Sequence, residues 1–344
     1  MTMLKIETHG TPKERGQQQG EATRALARPW IERRLDELTQ RYHQATFASL
    51  LHQVGPQVDG WRRQLEELYP EGAEESIGLA AGLNLDVDTY FTLTFYHRLG
   101  GHLPQCTVVG AHDNLGRPLI GKTDDIGAED LGMNILEQTT PARGYRHLHC
   151  HFAGTLWSVA GINERGLAMG MTGIPGSLND HQGLFSLTAL DTVLPVCADV
   201  AEAIAHLRTL SLNAYGFSLM LGDAGGHLAL IEKTGTGLAV LDPTDFPLAH
   251  TNHILDPALA ALNPEQSEPV RSNGQRRLAT ARALLAQDLS PYQILTDRSP
   301  TGPICQRGED GLHTDFAVVF SPVEGHMHLW PGYPDQVEME THTL

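Results

Sequence analysis

The chain has 344 residues, 41% of them apolar, with a formal net charge of −17 and four cysteines. That length holds one large domain or two ordinary ones. The acidic balance argues against a nucleic-acid partner, whose phosphates would be repelled, and no cysteine shows metal-ligand or disulfide spacing. No apolar run approaches the roughly 18 residues of a membrane span, and Met1 to Glu7 lacks a signal peptide's long apolar run, so a cytoplasmic protein that avoids membranes is expected.

Residues 12–105 read as mostly helical. Ala22 to Tyr42 places Leu26, Trp30, Leu35 and Leu38 near helical spacing, with Pro29 marking a kink or a fresh start. Trp61 to Tyr69, Glu74 to Leu83 and Asp86 to Arg98 continue in that style, the second ended by Gly82 and Asn84. Gly100-Gly101-His102-Leu103-Pro104 then breaks regular structure. Beyond Cys106 strands dominate: Thr107–Ala111, Pro118–Gly121, His147–Phe152, Trp157–Ile162, Leu167–Met171, Phe217–Leu221, Leu228–Glu232, Gly237–Leu241, Phe316–Phe320 and His326–Leu329. Helices over Ala198–Leu210 and Asn273–Ala286 interrupt them, a pattern that suits a layered α+β fold.

The stretch from Gln105 to Asp125 reads as a strand opening with Cys106-Thr107, a polar turn, and a second strand ending in Asp124-Asp125. A hairpin of that length brings a carboxylate back beside Cys106, a pairing that could activate a thiol nucleophile. On the residues alone, a buried structural cysteine and a solvated turn are the simpler readings.

Further motifs accompany it. They are Gly10-Thr11-Pro12-Lys13-Glu14-Arg15-Gly16 through Gly20, Gly161-Ile162-Asn163-Glu164-Arg165-Gly166-Leu167-Ala168, Thr251-Asn252-His253, Ser272-Asn273-Gly274-Gln275-Arg276, and Ile304-Cys305 with Thr314 before a strand. In this order, over nearly the whole chain, they resemble the acyl-coenzyme A:6-aminopenicillanic acid acyltransferase family of the N-terminal nucleophile (Ntn) hydrolases. The resemblance implies an αββα sandwich, two antiparallel sheets between helical layers. It also implies self-cleavage between Gln105 and Cys106, giving a helical segment 1–105 and a catalytic segment 106–344 that remain one folded unit.

The chemistry follows from that cut. A freed Cys106 would carry both a thiol and an α-amine of pKa ~7.7–8.0, so the amine can take the thiol proton near neutral pH. By the resemblance, Asp125 rather than Asp124 would hold that amine, Asn252 would donate into an oxyanion hole, and Arg276 would face the nucleophile or a substrate carboxylate. Helix register could instead place Arg271 or Arg277 there. Lys122, Thr123 and Thr172 would line the substrate site. They stand where relatives often place Arg, Asn and Asn, so the pocket differs and Lys122 lacks Arg's bidentate fork.

The reaction implied is cleavage of a linear amide through a Cys106 thioester, with the acyl group passed to water or an amine. The partner would be a small N-acyl amide or peptide; no cofactor is expected, and homo-oligomerisation is left open. A coenzyme A cradle is not evident, since no glycine-rich strand-to-helix loop appears. His147-Leu148-His149-Cys150-His151 puts three imidazoles on one strand face. Such a row is expected to face solvent rather than converge on an ion, so no metal is assigned; a zinc hydrolase built on it, or a non-catalytic binding protein, are the alternatives.

Overall fold

The computed structural model describes residues 3–100, 105–174, 182–213, 215–244, 248–260 and 268–344. Residues 101–104, the centre of the expected break before Cys106, lie outside them.

Four helices fill most of the first hundred residues: α1 (Pro12–Arg41), α2 (Phe47–Leu68), α3 (Pro70–Leu83) and α4 (Val87–Thr94). Thr11 begins α1 with a capping box, its hydroxyl accepting from Glu14 N while the Glu14 carboxylate accepts from Thr11 N, and Pro12 occupies the first turn. Asn84 ends α3 in the left-handed conformation. α1 continues past Pro29 rather than starting afresh there, and α2 likewise contains an internal proline, Pro56. The buried face of α1, including Ala27, Trp30, Ile31 and Leu38, outweighs the missing backbone donor.

The strands are β1 (Leu4–Gly10), β2 (Gln105–His112), β3 (Pro118–Gly127), β4 (Asn134–Pro141), β5 (His147–Phe152), β6 (Ala160–Asn163), β7 (Ala168–Ile174), β8 (Gly216–Gly222), β9 (Leu228–Thr234), β10 (Gly237–Leu241), β11 (Ala249–His250), β12 (Arg307–Glu309), β13 (Leu312–Ser321), β14 (His326–Trp330) and β15 (Glu340–Thr343). The remaining helices are α5 (Ser186–Leu190), α6 (Val200–Thr209), α7 (Glu268–Leu285) and α8 (Pro291–Ile294). One sheet runs β1-β4-β5-β6-β7-β8-β9-β10; the other runs β11-β2-β3-β13-β14-β15, with β12 on β13. All pairings are antiparallel except β1 with β4.

The sheets pack face to face, β2 and β3 against β7 and β8. Helices α7 and α8 cover the outside of the second sheet, and α1 with α3 laid against it covers the outside of the first, giving the expected αββα sandwich. The α1–α3 crossing explains the glycines of the N-terminal motif. A Cβ on Gly16 would collide with the Glu75 carbonyl, and one on Gly78 with the Lys13 carbonyl.

Candidate active site

The hairpin of β2 and β3 builds the site. Asp113 starts its turn by accepting from Leu115 N (2.9 Å) and Arg117 N (2.9 Å) through one carboxylate oxygen. The register that follows pairs Cys106 with Asp124 and Gln105 with Asp125. Because side chains alternate along a strand, Cys106, Lys122 and Asp124 share the face between the sheets, and Gln105, Thr107, Thr123 and Asp125 share the face under α7.

On the inner face, Cys106 Sγ lies 3.5 Å from Asp124 Oδ1 and 3.6 Å from Lys122 Nζ, and the ammonium donates to Asp124 Oδ1 at 2.7 Å. All three residues are buried. Burial pushes the thiol up to about 12 against the pull of Lys122. Burial works to lower the Lys122 ammonium, but Asp124 and the thiol hold it above its ordinary value. Asp124 Oδ2 accepts from Asn134 Nδ2 (2.9 Å), which also donates to Asp315 (2.9 Å). Cys106 and Asp124 close one end of a narrow cavity lined by Phe152, Trp157, Val159, Met171, Gly173 and Leu187.

On the outer face, Arg277 from α7 is fully buried. It donates to the Cys106 carbonyl (2.5 Å), Thr107 Oγ1 (2.8 Å), Gln105 Oε1 (2.9 Å) and Asn252 Oδ1 (3.0 Å), and stands 3.8 Å from Asp125. Asn273, one helical turn back, accepts from Arg277 Nε (2.7 Å) and aims the fork. Asp125 accepts from Thr314 Oγ1 (2.7 Å) and Thr123 Oγ1 (3.1 Å), and burial still pushes it up to about 6.

Asn252 joins the two faces. Its Oδ1 accepts the Cys106 backbone N–H (3.1 Å), and its Nδ2 donates to Gly173 O (2.9 Å). A second clamp sets the turn that carries it. Buried Glu232 accepts from His250 Nε2 (2.8 Å), Leu255 N (2.6 Å) and Asp256 N (3.0 Å), fixing both ends of residues 250–256.

The structure thus brings Gln105, Cys106, Lys122 and Asn252 together, but the Asn252 amide expected to donate into an oxyanion hole is spent on Gly173 O, and other expectations are corrected too. Arg276 points outward to Asp310 (2.7 Å) and is exposed; the next helical position, Arg277, turns inward. Asp124, not Asp125, faces the thiol, because it is the cross-strand partner of Cys106, and the Cys106 nitrogen is held by Asn252 rather than Asp125. Thr123 faces Thr107 and Asp125. Thr172 hydrogen-bonds with Ser218 (2.8 Å) and His250 (2.9 Å). Asn163 of the Gly161–Ala168 motif is a structural bracket, donating to the Leu194 and Cys197 carbonyls. Asn134 and Asp315 carry no signal in the sequence; the alternation of β3 is the signal for Asp124, and helix register is the one for Arg277.

The histidine row on β5 is not solvent-facing. His147 and His151 are buried beneath α1 and His149 nearly so. Among the described residues, two groups bring metal-ligating atoms within 4.8 Å of one another: Glu137 with His149 and His151, and Glu324 with His326 and His328.

Residues 113–336 match the family of acyl-coenzyme A:6-aminopenicillanic acid acyl-transferases. The chain belongs to that family. This acyl-transferase family member is an enzyme of acyl transfer or amide hydrolysis. The matched span begins after Cys106, so the thiol rests on the geometry above. No curated protein matches the sequence. Among solved structures, a mutant of the conjugated bile acid hydrolase from Clostridium perfringens is similar, at 13% identity over 70% of this chain and 97% of that one, TM-score 0.44. Penicillin V acylase from Agrobacterium tumefaciens is similar at 15% identity over 70% and 86%, TM-score 0.43. The Caenorhabditis elegans ortholog of N-acylethanolamine-hydrolyzing acid amidase is similar at 13% identity over 70% and 100%, TM-score 0.39. Among the described residues, no helix is long and apolar enough to cross a membrane.

Proposed function

We propose that this acyl-transferase family member is a self-processing amidohydrolase whose nucleophile is Cys106 and whose substrate is a small linear N-acyl amide. One observation carries the reading: the Cys106 thiol closes a largely apolar cavity while its own backbone nitrogen is held by Asn252 and its carbonyl by Arg277. A backbone gripped on both sides of its Cα presents Sγ in one orientation, as a nucleophile requires.

In the uncut chain the peptide nitrogen has no basicity and the thiol stays protonated, with an affinity raised to about 12. Processing begins when Sγ attacks the Gln105 carbonyl carbon. The C–S bond forms, the C–N bond breaks, and the thiol proton ends on the departing nitrogen. Water then cleaves the thioester, leaving a Gln105 carboxylate and a free Cys106. The new α-amine, of pKa ~7.7–8.0, takes the thiol proton in each later turnover. Asn252 Oδ1 keeps its hold on that nitrogen, and Lys122 stabilises the thiolate. The substrate amide repeats the sequence: acyl to sulfur, proton to the leaving amine, acyl to water.

Intact mass and a denaturing gel of the wild type beside Cys106→Ala test it. Two fragments meeting at Gln105/Cys106 in the wild type and one chain in the variant are expected. A wild type that remains whole and turns over no amide overturns the reading. The zinc-hydrolase alternative loses ground because the histidine row lies on the face of β5 turned to α1, whereas Cys150 on the opposite face senses Lys122 and Asp124.

A further inference from the structure

Glu137, His149 and His151 form a cluster that the thiol chemistry does not use. Glu137 on β4 is the cross-strand partner of His149 on β5, and His151 lies two residues on along the same face. A straight strand alone would hold its histidines in parallel; the neighbouring strand closes the set with a carboxylate. The His149 and His151 rings stack at 4.7 Å and 25°. Glu137 and His151 are buried, under Gln19 of α1.

The hydrogen bonds around these groups leave one inward atom on each. Glu137 Oε1 accepts from Thr8 (2.5 Å) and Thr139 (3.2 Å), which leaves Oε2 facing the imidazoles. His151 Nδ1 lies 3.0 Å from the Phe152 carbonyl and 3.4 Å from Gln19 Nε2, and its Nε2 stands 2.8 Å from Glu137 Oε2. His149 Nδ1 is held by Ser158 Oγ (2.6 Å), which leaves Nε2 on the cluster side near Thr139 (3.2 Å). Tethering the remote ring nitrogen to a carbonyl or hydroxyl is how metal-binding histidines are oriented.

Acidic groups gather beside the cluster. Ser158 N donates to Asp191 (3.0 Å), and Asp191 Oδ2 is buried with no partner among the described residues. Nearby Glu75 pairs with Arg15 (2.5 Å).

We propose that Glu137 Oε2, His149 Nε2 and His151 Nε2 bind a structural zinc-class ion that joins β4 to β5 beneath α1. Two imidazoles and a carboxylate suit zinc, with bonds of about 2.0–2.2 Å. The donors, within 4.8 Å of one another, need only close inward by side-chain rotation. Binding replaces the direct contact between His151 Nε2 and Glu137 Oε2. Because the site is buried, the ion enters during folding.

The test uses the full chain, unfolded with chelator and refolded with or without zinc, then desalted and assayed for metal by plasma mass spectrometry. About one equivalent per chain is expected, lost in Glu137→Gln and in His149→Ala and retained in His328→Ala, which alters the exposed Glu324/His326/His328 group. Cobalt in place of zinc should show the visible bands of a four-coordinate site. A wild type that refolds equally well without zinc and holds none afterwards overturns the proposal, whether or not the variants fold. So does metal that leaves with His328→Ala but stays in Glu137→Gln.

Discussion

Arg277 spends its guanidinium on backbone and side chains either side of the proposed cut, at Gln105, Cys106 and Thr107. A lysine keeps the charge but not the planar fork. Losing about two charge-assisted bonds of roughly 1.5–3 kcal/mol each should slow processing about a hundredfold or more in Arg277→Lys. Arg276→Ala, which removes only an exposed pair with Asp310, should leave the rate unchanged. Timed denaturing gels of freshly refolded chains decide between them. The pair also shows what sequence leaves open. Two adjacent arginines differ by about 100° around a helix, and the start of α7 at Glu268, several residues before the expected Asn273, sets which one turns inward. Cys106 itself yields a prediction about pH. Its folded-state affinity, raised to about 12, predicts that iodoacetamide labels the uncut chain negligibly below pH 9, whereas the cut chain labels readily near pH 8. Peptide mass mapping of Arg277→Lys against wild type reads both states.

At the scale of elements, the α1–α3 crossing and the Glu232 clamp make separate claims. Gly78→Ala forces a methyl into the Lys13 carbonyl, so the helices must part. Overpacking of this kind costs about 1–3 kcal/mol, visible as a lowered urea midpoint. Glu232→Gln keeps the shape but weakens the acceptor of His250, Leu255 and Asp256, so processing should slow about tenfold while the urea midpoint moves little. An unchanged rate would show that the Asn252 turn holds itself. β5 and β10 were legible to the residue. β1 and β4 were not: Lys5 and Glu7 of β1 are exposed, while Thr8, Glu137 and Thr139 serve a buried polar network. β3 runs past the Asp124-Asp125 pair, at which the strand was expected to end, to Gly127.

For the whole molecule, buried acids set the response to pH. Burial raises Glu75 to about 7 and Asp125 and Asp315 to about 6, against ordinary values of 4.5 and 3.8. Folded affinities above the unfolded ones mean that the folded state binds the extra protons. Their contribution is full below about pH 4 and is lost as pH rises through 6 to 7. Glu137 and Glu232, held below their usual range by histidine hydrogen bonds despite burial, oppose this only in the acid range. Burial holds His147 and His253 down at about 4 and lowers His149 as well, and these act in the opposite sense between pH 7.5 and 5.5. The prediction therefore lies in the variant: compared with wild type, Glu75→Gln should shift stability to urea in favour of pH 7.5 over pH 5.5. A layered α+β fold was legible from the change of helical to extended pattern at Cys106, and the order of its layers followed from the family resemblance. Which sheet the first segment would join was not, since parallel pairing of β1 with β4 spans some 130 residues and leaves no local trace.

That pairing has a consequence for the cut molecule. Seven residues of the first segment, Leu4 to Gly10, are laced to Asn134–Pro141 of the second, and α1 lies over the seam. Severing Gln105 from Cys106 leaves every one of those bonds in place. The halves should travel as a single particle through a sizing column and separate only in denaturant, and neither half, made alone, should fold without the other to complete its sheet.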